Sequence, residues 1–113
     1  MSSASTPEGK VKQKVIAWLK QRGVYYAMPV GGPYGRAGIP DFLCCYQGHY
    51  LAIETKAPGK RSTLRPSQAQ QIAQITHAGG SALIVDDVRQ LDEWERQWMS
   101  GTTTSPCAVK TNT

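Results

Sequence analysis

Residues 38–56 read GIPDFLCCYQGHYLAIETK, a mostly apolar stretch that also contains Asp41, Glu54 and Lys56. Two apolar, strand-forming segments flank the dipeptide Gln47-Gly48, which favours a two-residue turn between antiparallel strands. Counting outward from that turn places Asp41 directly opposite Glu54. A turn of four residues would keep both acids on one face of the hairpin, whereas a three-residue loop without a bulge would separate them.

The two opposed carboxylates need a positive charge between them. Directly opposed side chains have Cβ atoms about 4.5–5.5 Å apart, so Asp41 and Glu54 would repel each other. Lys56 shares their face and supplies part of the charge. A divalent cation supplies it better, since hard oxygen ligands suit Mg²⁺ or Mn²⁺ bound to substrate phosphate. The pattern therefore predicts a site for phosphodiester hydrolysis; the structural alternative is a surface Glu-Lys pair beside a turn Asp.

Outside the hairpin, the chain reads as one α/β domain with the element order α-β-β-β-α-β-α. The strand–helix–strand unit near its end predicts a parallel pair within a mixed sheet. Residues 1–100 form the predicted domain, and the Thr- and Ser-rich residues 101–113 are expected to be a disordered tail. The predicted helices cover residues 7–22, 66–78 and 88–99, and the predicted strands cover residues 24–30, 41–46, 50–56 and 81–85.

Charge is unevenly distributed along the chain, whose formal net charge is +5. Up to Arg65, ten Lys and Arg against three Asp and Glu give +7, and the remainder carries −2. Such asymmetry indicates a polyanionic partner, most simply nucleic acid, with a solvated surface as the alternative. Four lysines of the first helix are expected on an exposed face: Lys10, Lys12, Lys14 and Lys20.

Compartment and membrane association are also constrained by the sequence. Three cysteines, two of them adjacent, do not form a disulfide framework and are expected to be reduced, which points to the cytoplasm. No apolar run approaches the ~20 residues that span a bilayer, and the N-terminus lacks the apolar centre of a secretory signal. We therefore expect a cytoplasmic protein without a membrane partner.

The motifs resemble those of a known family. RAGIPD at residues 36–41, ETK at residues 54–56 and Leu64…Gln68 together resemble the VRR-NUC domain nucleases of the PD-(D/E)XK superfamily. The resemblance covers about residues 7 to 86. It implies a restriction-endonuclease-like core, with a central mixed sheet flanked by helices, and metal-dependent DNA cleavage. Small members, encoded by bacteria or their viruses, resemble Holliday-junction resolvases and act as homodimers.

The resemblance assigns roles residue by residue. Asp41, Glu54 and the carbonyl of Thr55 would be ligands of Mg²⁺ or Mn²⁺, and Lys56 would be the catalytic lysine. Glu8 matches an acidic residue that the superfamily often places on its first helix, as a further catalytic residue and metal ligand.

Gln68 matches the glutamine at the start of the helix that follows the E-x-K strand. From the sequence alone, Glu8 could instead favour its helix N-terminus through the dipole. Likewise Gln68 could complete a capping box, which is imperfect because Arg65 is not Ser or Thr. Four basic residues are predicted DNA contacts: Arg36, Lys60, Arg61 and Arg65.

Three functions remain open at this stage. The leading hypothesis is a metal-dependent endonuclease that cuts branched DNA, such as four-way junctions, as a homodimer. The second is a nuclease that acts on flaps, nicks or single strands. The third is a DNA-binding module without catalysis on a nuclease-like scaffold.

His49 and His77 lack partners at metal-ligand spacing and are read as structural, while Trp94 and Trp98 suit either the core or a dimer surface.

Overall fold

A computed structural model describes residues 6–31 and 35–101. In these ranges the helices and strands follow in the predicted order α-β-β-β-α-β-α. Apart from Gly101, the expected tail lies outside the described residues. The elements are α1 (Pro7–Gln21), β1 (Tyr25–Ala27), β2 (Phe42–Tyr46), β3 (His49–Thr55), α2 (Pro66–His77), β4 (Ser81–Val85) and α3 (Arg89–Ser100), with a short 3-10 turn at Arg61–Thr63.

The four strands form one mixed sheet in the order β1-β2-β3-β4. Strand β2 is antiparallel to both β1 and β3, and β4 runs parallel to β3, as the strand–helix–strand unit predicts. Gln47 (φ 48°) and Gly48 (φ 82°) both have positive φ, as a type I′ hairpin turn requires. Phe42 consequently pairs with Ile53, which confirms the predicted register.

The first strand is shorter than expected. The sequence predicts a strand over residues 24–30, whereas β1 covers only Tyr25–Ala27. Pro29 has no N–H to donate to a strand ladder, so pairing stops before it. At the other end Val24 is buried in the core instead of pairing with β2.

One face of the sheet carries the hydrophobic core. Helices α1 and α3 cover this face, and Trp18 Nε1 of α1 donates a 2.8 Å hydrogen bond to Asp92 Oδ1 of α3. The two helices are thereby fixed to each other as well as to the sheet. The core consists of Val11, Val15, Trp18, Leu19, Val24, Phe42, Cys44, Tyr46, Leu51, Ile53, Val85, Leu91 and Trp94, with Trp98 packed against it.

The opposite face of the sheet is polar near one end and open near the other. Helix α2 buries a single residue, Gln68, which contacts Glu54 of β3. Farther along, Tyr25 and Tyr50 remain 70% and 43% exposed, so no element of the described chain fully covers them. Within the described residues no helix combines the length and apolar character needed to cross a membrane.

Candidate active site

The hairpin brings Asp41 to the end of β3. Asp41 lies one residue before β2, and its Oδ2 accepts hydrogen bonds from Thr55 N (2.9 Å) and Thr55 Oγ1 (2.5 Å). Both bonds use the same oxygen. Oδ1 therefore faces away from the strand, toward α1, where the Lys12 ammonium lies 3.8 Å away.

Glu54 is the buried carboxylate of the site. Its residue is 4% exposed, and Oε2 accepts a 2.7 Å hydrogen bond from Gln68 Nε2. Oε1 is buried and has no hydrogen-bond partner among the described residues. Burial, then the charge of Asp41, raises the pKa of Glu54 to about 7 from 4.5, although Lys56 opposes the rise. A buried acid with an unsatisfied oxygen indicates a place for an added positive charge.

Gln68 connects the acid to the lysine. While Nε2 donates to Glu54, its Oε1 accepts from Lys56 Nζ (3.1 Å) and from Arg65 N (2.9 Å). The bond from Arg65 N caps helix α2, and the other two bonds join Gln68 to Lys56 and Glu54. The Gln68 side chain therefore caps the helix and connects the two charged residues. Lys56 Nζ lies 4.0 Å from Glu54 Oε2 and is held in place chiefly by the amide.

Gly38 fixes the segment that carries Asp41 against α2. Its φ is +79°, and a Cβ at this position would overlap the Ser67 carbonyl and crowd Gln68 N. Only glycine allows the backbone to approach this closely. Gly38 belongs to the RAGIPD motif at residues 36–41, but the sequence alone does not predict its contact with α2.

Helix α1 contributes two side chains to the surroundings of the acids. Thr6 Oγ1 accepts a 2.9 Å hydrogen bond from Gly9 N, which fixes the helix start and puts Glu8 in the first turn. The charge of Glu8 contributes to the raised pKa of Glu54, so Glu8 lies near the site. Lys12, one turn later, pairs with Asp41.

The expectation that Lys12 belongs to an exposed face is therefore wrong. The side chain of Lys12 is 24% exposed, because Lys12 lies one helical turn after Glu8 and therefore faces the same side of α1. The spacing of Glu8 and Lys12 is the sequence signal that could have placed Lys12 on this face. Lys10, Lys14 and Lys20 are exposed as predicted.

The predicted DNA contacts are all exposed. Arg36 lies ahead of Gly38 and lines a cavity of about 510 Å³ beside α2. Lys60 and Arg61 lie in the loop after Lys56, and Arg65 immediately precedes α2. All four basic residues therefore lie close in sequence to Asp41, Lys56 or Gln68.

A divalent cation suits the donor set. In both Asp41 and Glu54, one carboxylate oxygen accepts hydrogen bonds from the protein and the other accepts none. Two carboxylates are what Mg²⁺ normally takes from a protein, with waters and phosphate completing its shell. In residues 6–31 and 35–101 no three His, Cys, Asp or Glu side chains come close enough to form a complete cage. Direct ligation by Glu8 and by the Thr55 carbonyl stays a prediction.

The arrangement of strands and helices defines a restriction-endonuclease-like fold, and solved structures specify it further. One, described as "VRR_NUC domain", matches at a TM-score of 0.70 and 21% identity, covering 82% of this chain and 98% of that one. Another, described as "VRR_NUC domain protein", matches at 0.63 and 21% identity, covering 84% and 89%. The chain therefore has the VRR_NUC fold, which confirms the predicted fold class and, at the level of fold, the resemblance.

Other comparisons add less. A structure of Archaeoglobus fulgidus Hjc, a Holliday junction resolvase, matches at a TM-score of 0.46 and 16% identity, covering 67% of this chain and 64% of that one. A likeness of that size carries no argument about this chain. No family model and no curated protein matches the sequence.

Proposed function

We propose that this chain is a Mg²⁺- or Mn²⁺-dependent endodeoxyribonuclease that hydrolyses phosphodiester bonds in branched DNA, with four-way junctions as the preferred substrate. The observation that carries the proposal is the pair of acids that each keep one oxygen without a hydrogen bond, Asp41 Oδ1 and Glu54 Oε1. Lys56 lies beside them, held by Gln68. A structural Glu-Lys pair would not require a buried oxygen without a partner.

A bound divalent cation supplies Lewis-acid chemistry at this place, since it acidifies water and neutralises charge that develops on the phosphate. Asp41 and Glu54 would hold it, with the Thr55 carbonyl and Glu8 as further candidate ligands. Thr55 N and Oγ1 keep Asp41 turned so that Oδ1 stays available.

Lys56 is the proposed catalytic lysine. Its ammonium donates to Gln68 Oε1 and keeps further N–H donors for the attacking water or the scissile phosphate. Gln68 sets the distance between this ammonium and Glu54, because its amide binds both. Exchanging the amide oxygen and nitrogen would put a donor against Lys56 and an acceptor against Glu54, so only one amide orientation serves the site.

The DNA backbone would be held by Arg36, Lys60, Arg61 and Arg65. All four are exposed, and their number supports a binding affinity that falls as salt rises. We further propose that the chain forms a homodimer. It would act in the cytoplasm of a bacterium, or of a host cell infected by a bacterial virus. The exposed side chains of Tyr25 and Tyr50 on the open sheet face support pairing with a second copy. The free thiols of Cys44 and Cys45 support the cytoplasmic location.

Cleavage of an end-labelled four-way junction tests this function. Wild-type protein should cut with Mg²⁺ or Mn²⁺ and not with EDTA. Asp41→Asn should lower the rate about 1,000-fold through loss of the cation, and Lys56→Met about 100-fold through loss of a positioned donor. Binding of the junction, measured by anisotropy without metal, should change little in either variant.

Lys20→Met is the matched control for charge, because Lys20 is exposed in the last turn of α1. It should cut like the wild type. Cleavage that persists in EDTA, or that survives both Asp41→Asn and Lys56→Met, would overturn the proposal. Binding without cleavage of any DNA would favour the module without catalysis. Faster cutting of matched flaps, nicks or single strands than of junctions would reassign the substrate.

A further inference from the structure

The Lys12 ammonium lies on the side of Asp41 where a cation would bind. Asp41 Oδ2 is occupied by two hydrogen bonds from Thr55, and Oδ1 faces Lys12 Nζ at 3.8 Å. We propose that Lys12 is an internal counter-cation, which neutralises Asp41 in the metal-free protein and must be displaced when the metal binds. This inference rests on the proposed function of the same site.

The geometry of the pair suits displacement. At 3.8 Å the contact is an ion pair and exceeds the length of a hydrogen bond, so no directional bond is lost when the ammonium moves. Both side chains are 24% exposed, which gives the four-carbon stem of Lys12 a path toward solvent. Lys56 differs, since its ammonium is bonded to Gln68 at 3.1 Å and its side chain is 12% exposed.

Electrostatics explains why such a lysine would be present. Without metal, the Asp41 carboxylate is hydrogen-bonded to Thr55 N, next to Glu54 in the chain, so the two negative charges lie close together and repel each other. The Lys12 ammonium reduces that cost. The Lys12 ammonium would be repelled by a bound divalent cation and would turn outward, where it could pair with a DNA phosphate. Lys12 would thus weaken binding of the metal alone and favour binding of metal and DNA together.

Calorimetric titration of Mn²⁺ into the metal-free full chain, without DNA, tests the inference independently of catalysis. Lys12→Met keeps the apolar stem and removes the charge, so it should bind Mn²⁺ about tenfold more tightly than the wild type. Lys12→Arg should bind like the wild type. The gain should disappear in the double variant Lys12→Met/Asp41→Asn, because it depends on Asp41.

Lys10→Met is the matched control, since Lys10 is exposed on the same helix and its loss changes net charge equally. Its Mn²⁺ affinity should stay within about twofold of wild type, as expected for a screened surface charge. The inference is overturned if Lys12→Met binds Mn²⁺ no more tightly than wild type, or if Lys10→Met gains as much.

Failure of this inference differs from failure of the proposed function. If wild type binds Mn²⁺ in a manner that Asp41→Asn weakens, and Lys12→Met does not alter it, only the role of Lys12 is lost. If neither wild type nor Lys12→Met shows binding that depends on Asp41, the proposed metal site is lost as well, and Lys12 has no cation to displace. Thermal unfolding of each variant checks that the fold is retained.

Discussion

The two faces of β3 differ in what they do for the molecule. Leu51 and Ile53 point into the core and are completely buried between the sheet and helices α1 and α3. Glu54, next to Ile53, points to the other side and is almost as deeply buried, at 4% exposure. One strand therefore carries apolar burial that stabilises the fold and a buried acid that destabilises it.

Burial alone therefore does not identify the role of a residue on this strand. Hydrophobic burial on the core side contributes to folding, whereas an ionised carboxylate removed from water opposes it. An acid retained at such a position is explained by a task that requires it, because strained or unsatisfied groups concentrate at functional sites. Replacing Ile53 by a smaller residue should therefore lower the stability of the fold, whereas replacing Glu54 by an uncharged residue should raise it.

The largest effect on stability is expected from Ile53→Ala. Ile53 is fully buried in the core, and removing its side chain leaves a cavity that should lower the free energy of unfolding by about 2–5 kcal/mol. Urea denaturation followed by circular dichroism measures this. A loss below about 1 kcal/mol would mean that the core face is less tightly packed than the contacts indicate.

Gly38→Ala should be nearly as damaging, since it combines positive φ with overlap of the Ser67 carbonyl. We expect a loss of about 2–4 kcal/mol in the free energy of unfolding. Gly59→Ala is the control, because Gly59 has a φ of +81° and open space around it. It should lose only about 1 kcal/mol. Equal losses would show that the approach to α2 is unimportant.

Glu54→Gln should stabilise the metal-free protein at alkaline pH. Because the pKa of Glu54 is raised to about 7 from 4.5, the folded state retains a proton that the unfolded chain releases between these pH values. Wild-type stability should therefore fall as pH rises through this window. The variant should lack this fall and gain about 1–3 kcal/mol at pH 8.

Thermal unfolding of both proteins in EDTA at pH 5 and pH 8 provides the measurement. The wild type should lose more stability between pH 5 and pH 8 than the Glu54→Gln variant does. Equal changes in the two proteins would contradict the environment described for Glu54. Added Mn²⁺ should stabilise the wild type at pH 8 more than the variant, because only the wild type offers a second carboxylate.

The smallest effect is expected on the open part of the second face. Tyr25 is 70% exposed on the edge strand β1, so Tyr25→Thr should change the stability of the dilute protein by no more than about 0.5 kcal/mol. Analytical ultracentrifugation at rising concentration sharpens the comparison. A variant that dissociates more readily than the wild type would indicate that this face pairs with a second copy.

Local chemistry made the hairpin predictable. The Gln47-Gly48 turn, although weaker than Asn-Gly, set the predicted register, and that register put Asp41 and Glu54 together because side chains alternate with a period of two. The element order followed equally from periodicity and from breakers such as Gly79-Gly80. The predicted length of β1 is wrong because the apolar pattern continues through Pro29, which has no N–H to pair with a neighbouring strand.

Long-range contacts account for what the sequence did not predict. The place of Lys12 depends on how α1 lies across the hairpin, and the contact of Gly38 depends on the approach of α2. The spacing of Glu8 and Lys12 indicates only that they share one face of α1, and no spacing in the sequence encodes either contact distance. The two alternatives for Gln68, a cap or a site residue, proved compatible because its amide has two ends.

A crystal soaked in Mn²⁺ would show whether Asp41 and Glu54 hold a cation. We expect an anomalous difference peak between Asp41 Oδ1 and Glu54 Oε1, with metal–oxygen distances of about 2.0–2.6 Å, and Lys12 turned away from Asp41. Well-defined density for both carboxylates at millimolar Mn²⁺, with no peak between them, would contradict this expectation.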